Sequence, residues 1–152
     1  MATRGFEFAG ALDRSGVTPT IHDLPVDGTG AYAVGDLVLL NSSGQCAAVT
    51  ASGKEVTGVI QEDRPALGAA DGDIVKVAII TRNQIWRCSM DAAASNAVVG
   101  YTKTLDVADA NTLDADDLSN GYAILWKYGD GFDSDGNLIA YVVFGDTTFG
   151  NV

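Results

Sequence analysis

The chain is poor in the residues that most catalytic and metal centres are built from. It has one histidine, His22, and two cysteines, Cys46 and Cys88. No Cys-x-x-Cys occurs and no second histidine completes a zinc set, so a structural zinc site is excluded. The two cysteines read as buried free thiols rather than as a disulfide. Basic residues are scarce: nine Lys and Arg stand against twenty Asp and Glu, a formal charge of −11. Such a chain repels nucleic-acid phosphates and anionic membrane surfaces, and neither is expected as a partner. No window approaches the roughly 18 consecutive apolar residues of a membrane-crossing helix. Met1–Glu7 lead into no apolar signal segment, which predicts synthesis and folding in a cytoplasm. Phosphate-binding glycine motifs and a Gly-x-Ser-x-Gly nucleophile elbow are also missing.

What is present is glycine, 18 residues of it, spread at intervals that suit chain reversals rather than a low-complexity linker. Two near-identical tetrapeptides stand out, Gly35-Asp36-Leu37-Val38 and Gly72-Asp73-Ile74-Val75. Each is a Gly-Asp turn that launches an alternating strand. Asn41-Ser42-Ser43-Gly44 predicts a turn between strands at Leu37–Leu39 and Gln45–Val49. Gly58 interrupts the next strand and predicts a bulge or a close backbone approach. Residues 73–81 are aliphatic on one face and mostly so on the other, which predicts burial on both sides for part of their length. They are expected to form a hairpin with residues 84–90 through Arg82-Asn83, with Trp86, Cys88 and Met90 on one face. Asp91–Val99 suits one or two helical turns. Residues 121–128 and 138–144 form a second hairpin rich in aromatic and β-branched side chains. The class is therefore all-β: a small antiparallel barrel or sandwich of about seven to nine strands, with at most one short helix.

Residues 1–30 differ from the remainder. They hold two of the three prolines and no sustained periodicity, and form an extended N-terminal arm ahead of a single β domain at residues 31–152. The arm either orders on another body or lies as an edge strand on its own domain.

Candidate sites are few. Asp130, Asp133 and Asp135 alternate around glycines as calcium ligands do. An EF-hand would need an acid where Gly131 stands, and no closing glutamate follows. The same residues also suit an ordinary turn, and no metal or cofactor is expected. Asp106, Asp109, Asp114, Asp116 and Asp117 read as a solvated acidic loop. His22 beside Asp23 is the one pairing with the make-up of a general base, but no motif places a nucleophile near it. Trp126, Tyr128, Tyr141 and Phe144 lie in strands and suit core or interface anchors.

Tyr32-Ala33-Val34-Gly35-Asp36-Leu37-Val38, Gly58-Val59 and Asp71-Gly72-Asp73-Ile74-Val75-Lys76-Val77, in this order, resemble small tailed-phage capsid decoration (cement) proteins, including short β-barrel head proteins of the DUF2190 type. The resemblance covers about a third of the chain, and the hairpin at residues 121–144 departs from it. It implies a non-enzymatic virion protein on the capsid exterior, bound to the major capsid protein and to itself, with a homotrimer favoured and a dimer possible. On that reading Thr18, Pro19, Ile21, His22, Leu24 and Pro25 form the capsid-binding arm. Trp126, Tyr128, Tyr141 and Phe144 supply the oligomer interface. The alternative is a carbohydrate- or receptor-binding β module of a tail fibre or surface layer, with aromatic platforms and a calcium loop.

Overall fold

The computed structural model of the protein describes residues 5–28, 32–49, 55–62, 71–91, 104–105, 107–114, 123–145 and 147–148. The strands are β1 (Glu7–Ala11), β2 (Ile21–Pro25), β3 (Leu37–Leu40), β4 (Cys46–Ala48), β5 (Gly58–Ile60) and β6 (Ile74–Ile79). They continue as β7 (Gln84–Ser89), β8 (Thr104–Leu105), β9 (Val107–Asp109), β10 (Thr112–Leu113), β11 (Ala123–Phe132) and β12 (Leu138–Phe144). One sheet runs β1-β7-β12-β11-β8, a second runs β2-β6-β5-β3-β4, and β9 and β10 form a small ribbon. All of these strand pairs are antiparallel, and no helix occurs among the described residues. The fold is thus all-β and sandwich-like. The twelve strands among the described residues exceed the expected seven to nine because several span only two or three residues, too short to show an alternation. The short helix read at residues 91–99 falls almost wholly outside the described residues.

The second sheet lies between two cores, which explains its aliphatic runs. Along β6, Val75, Val77 and Ile79 turn into a smaller cluster with Val26, Val38, Cys46 and Ile60. Ala78 and Ile80 turn the other way, into the main core with Trp86, Leu125, Val142 and Phe144. The sheet curls until its two edges touch at one point, where Val26 bridges Cys46 in parallel and the Asp27 N–H donates to the Cys46 carbonyl at 2.8 Å. This single contact encloses the smaller core without closing a barrel.

The hairpin expected across Arg82-Asn83 does not form. β6 and β7 belong to different sheets, and β7 pairs instead with β1 and β12. The chain turns a corner there, held by the buried side chain of Gln84. Its Oε1 accepts from the Thr81 N–H at 2.9 Å and from Trp86 Nε1 at 3.2 Å, while its Nε2 donates to the Ile79 carbonyl at 3.2 Å. A corner rather than a hairpin lets Ile80 and Trp86 enter the same core from opposite sheets. Gln84→Leu strands two donors and an acceptor, and is expected to cost roughly 2–4 kcal/mol in a chemical denaturation experiment.

Two other turns behave as read. The β3–β4 hairpin closes through Asn41, whose Oδ1 accepts from the N–H groups of Ser43 and Gln45 at 2.9 and 3.0 Å. The β11–β12 hairpin closes in the same way through Asp133, whose Oδ1 accepts from Asp135 and Asn137 at 2.9 and 3.0 Å. Each turn has a glycine with positive φ at its fourth position, Gly44 at 76° and Gly136 at 80°.

The N-terminal residues 5–28 lie on the chain's own sheets. β1 forms the edge of the first sheet against β7, and β2 forms the edge of the second against β6. Both Gly-Asp tetrapeptides receive this segment. The Gly35 carbonyl accepts from the Phe6 N–H at 2.8 Å, just before β1. The Asp73 carbonyl accepts from the Val26 N–H at 2.8 Å, and the Gly72 N–H donates to the Val26 carbonyl at 2.9 Å, just after β2. The repeat therefore marks the two anchor points of the N-terminal segment.

Candidate functional site

The open edge of the sandwich between β1 and β2 holds a groove of about 380 Å³. That volume lies in the range of small-ligand or peptide side-chain pockets. Its floor is made by Phe6, Phe8 and Trp86, which are held in place by the core. Phe8 meets Trp86 edge-on, with ring centroids 5.7 Å apart, and Phe6 stacks at a tilt on Phe144 at 5.8 Å. Thr18, Pro19, Ile21 and Val34 line it as well. Ile21 is 50% exposed and Val34 53% exposed, so both leave apolar surface open at the groove. Glu7 and Gln61 supply the polar rim. Glu7 is held by Arg87 across the β1–β7 ladder at 2.9 Å.

Three of the six arm residues, Thr18, Pro19 and Ile21, thus converge on one groove. His22 is exposed on β2, and Leu24 and Pro25 are half-buried, with Leu24 packed on the smaller core. His22 and Asp23 do not form a dyad by pairing. Successive strand residues point to opposite faces, and the Asp23 carboxylate is engaged by Lys76 Nζ at 3.1 Å on the neighbouring strand. Val34, Phe6, Phe8 and Gln61 belong to the groove although sequence reasoning did not place them there. The one local signal was Val34, a large aliphatic residue directly before a positive-φ glycine.

The expected oligomer anchors do not form one patch. β12 alternates strictly, so Leu138, Ala140, Val142 and Phe144 face the core and Ile139, Tyr141 and Val143 face outward. Phe144, at 1% exposure, is therefore a core residue and not a surface anchor. Tyr141 is half-buried on the outer face, and Trp126 is 37% exposed. Trp126 is the extra residue of a bulge between Leu125 and Lys127. The Tyr128 side chain lies outside the described residues, as does that of Asp130.

Of the calcium candidates, Asp133 is engaged in turn chemistry. Asp133 makes the same four-bond turn that the neutral Asn41 makes in the other hairpin. A charge is not needed for that task, and Asp135 is exposed beside it. Of the acidic loop, Asp109 accepts from the Asn111 N–H at 3.0 Å, while Asp106, Asp116 and Asp117 lie outside the described residues. Among the described residues no three His, Cys, Asp or Glu side chains converge as a metal site would require.

Both cysteines are buried and free. Burial pushes the Cys46 thiol from its ordinary value near 9 up to about 11. Only the thiolate is nucleophilic, so alkylation of Cys46 in the folded protein at pH 8 is expected to be far slower than in the unfolded chain. Because the folded state holds this proton more tightly, its contribution to stability is full below pH 9 and is lost as pH rises through 11. Iodoacetamide labelling rates against pH check the first point, and urea titrations on either side of this range check the second.

No protein-family model and no curated protein matches this chain.

Proposed function

We propose that the protein is a non-enzymatic structural protein of a tailed-phage virion, which binds the outer surface of the head as an oligomer and bridges major capsid subunits. The observation that carries this reading is the groove, where Thr18, Pro19 and Ile21 meet the exposed Val34 at the edge strands of both sheets. A sheet edge offers backbone donors and acceptors to an extended segment, and a groove beside it offers pockets for that segment's side chains. The resemblance of Tyr32–Val38, Gly58-Val59 and Asp71–Val77 to head decoration proteins points the same way. A rigid all-β body suits a clamp. Many copies on a symmetric shell turn modest single contacts into firm retention.

Deleting residues 1–30 is a poor test, because it removes two edge strands and the buried Phe6 and Val26. The double variant Ile21→Ser/Val34→Ser alters exposed side chains only, where substitutions change stability little. Because each group is already half buried, covering the rest stabilises a complex by about 0.8–1.5 kcal/mol each. The variant is therefore expected to co-sediment with expanded, undecorated heads at least about tenfold more weakly than the parent protein. Equal co-sedimentation of a folded variant would remove the groove from the account.

A further inference from the structure

The strands at the sheet edges differ in what already lies against them. β1 shifts register between Phe8 and Gly10, a bulge that turns an edge away from further pairing. β4 is met at Cys46 by Val26 and Asp27. β8 spans only Thr104–Leu105. β2 keeps an unbroken register against β6, from Ile21↔Ala78 to Pro25↔Ile74. The hydrogen bonds at its two ends fix which backbone groups face away. The Thr20 carbonyl accepts from the Ile79 N–H at 2.9 Å, and the Val26 N–H donates to the Asp73 carbonyl at 2.8 Å. In an antiparallel ladder every second residue bonds the same neighbour, so the even positions of β2 bond β6. The N–H and C=O groups of Ile21 and Asp23 therefore point away from the sheet, in a stretch whose residues 21–23 are all exposed. The open edge ends at Pro25, which has no N–H, and at the Asp27 bond to Cys46.

The side chains add selectivity. Paired residues share a face, so Ile21 lies with Ala78 on the side of the groove, and Asp23 lies with Lys76 on the same side. The Lys76 bond uses Asp23 Oδ1, and the carboxylate, 62% exposed, has room to accept from a second cation. Asp27, Asp71 and Asp73 gather at the end of β2, where Asp71 Oδ1 accepts from the Gly28 N–H at 3.4 Å, in a chain of net charge −11. From this edge we infer that β2 takes an extended segment of the partner as an added strand, with an apolar residue of that segment opposite Ile21 and a basic one, two positions away, opposite Asp23. The inference rests on the head-binding reading for the identity of the partner and specifies how the groove is used. Backbone hydrogen bonds supply the affinity of an added strand, and alternate side chains supply its selectivity. The apolar side chain covers Ile21 and Val34, and the cation offsets the acidic end of the strand. A second copy of this chain is a poor occupant, because two such edges bring like charges together.

Two synthetic peptides test this on the isolated protein. One is acetyl-Thr-Lys-Thr-Val-Thr-Lys-Thr-amide, whose pattern reads alike in either strand direction, and the other has Glu in place of both Lys. Amide NMR follows the titrations. The Lys peptide is expected to move the Ile21 and Asp23 amide signals and, at saturation, to slow their hydrogen exchange at least about fivefold. At low ionic strength it should bind at least about tenfold more tightly than the Glu peptide, with the advantage shrinking in about 0.5 M salt. In Asp23→Asn, a change at an exposed side chain, the preference should fall to about threefold or less. Equal affinity for the two peptides, or shifts that leave Ile21 and Asp23 unmoved, would overturn the inference. So would self-association of the chain through β2. A protein that decorates heads but fails with the peptides removes the β2 edge and leaves the head-binding reading in place. Edge binding of the Lys peptide by a protein that leaves heads bare does the reverse.

Discussion

Gly58→Ala is expected to destabilise the protein by about 3 kcal/mol, a size characteristic of forcing an atom into a filled interior. A Cβ at this position would stand 2.3 Å from the Ala78 carbonyl oxygen and 2.5 Å from Val77 Cγ1. The first of these belongs to the backbone of the neighbouring strand, paired in register as Gly58↔Ile79 and Val59↔Ala78, so no side-chain rotation relieves it. β5 must move away from β6, and both cores lose packing at once, because Val59 faces the main cluster and Ile60 the smaller one. For a chain of this length the change corresponds to a fall of roughly 6–12 °C in Tm. A loss under about 1 kcal/mol by urea titration would show that the two strands are farther apart than described.

Gly35→Ala is expected to cost about 2–4 kcal/mol, through two separate terms. The residue has φ +94°, a region that L side chains rarely adopt, and its added Cβ would lie 2.7 Å from the Gly5 Cα. Gly5 is its mirror, with φ +97° and a 2.7 Å approach to the Gly35 Cα. The two backbones cross with no room for a side chain on either. Relief requires β1 to lift, which breaks the Phe6-to-Gly35 hydrogen bond. Hydrogen exchange should therefore quicken first at residues 5–11, ahead of the rest of the first sheet. The double variant Gly5→Ala/Gly35→Ala should cost less than the sum of the singles, because one displacement accommodates both methyl groups.

Much of the architecture was legible in the residues, and the failures share one cause. Local turn chemistry was readable: Asn41-Ser42-Ser43-Gly44 closes the β3–β4 hairpin, and the interruption at Gly58 marks a close backbone approach. The mostly aliphatic pattern of residues 73–81 correctly indicated burial on both faces for part of their length, from Val77 to Ile80, while Ile74 and Lys76 are exposed. Pairing partners beyond the β3–β4 and β11–β12 hairpins were not readable, because register and sheet membership depend on contacts distant in sequence. Hence Arg82-Asn83 looked like a hairpin although Gln84 makes it a corner. Phe144 looked like a surface anchor because alternation in β12 was visible but its polarity was not: both sets of residues, 138/140/142/144 and 139/141/143, are apolar or aromatic. The groove was half legible. Thr18, Pro19 and Ile21 were singled out from the extended character of their segment, while Val34, Phe8 and Gln61 reach it only through the fold. The Gly-Asp repeat was noticed as a pair of strand starts; its use as two docking points for residues 6 and 26 depends on hydrogen bonds that no local pattern encodes.

The proposed role of the protein is attachment to a larger shell. Electron microscopy of expanded, undecorated heads incubated with saturating purified protein tests this most directly. Added density at regular positions on the outer surface, repeated with the symmetry of the lattice, is the predicted result. Heads that remain bare under those conditions, with the protein folded and in excess, would contradict it.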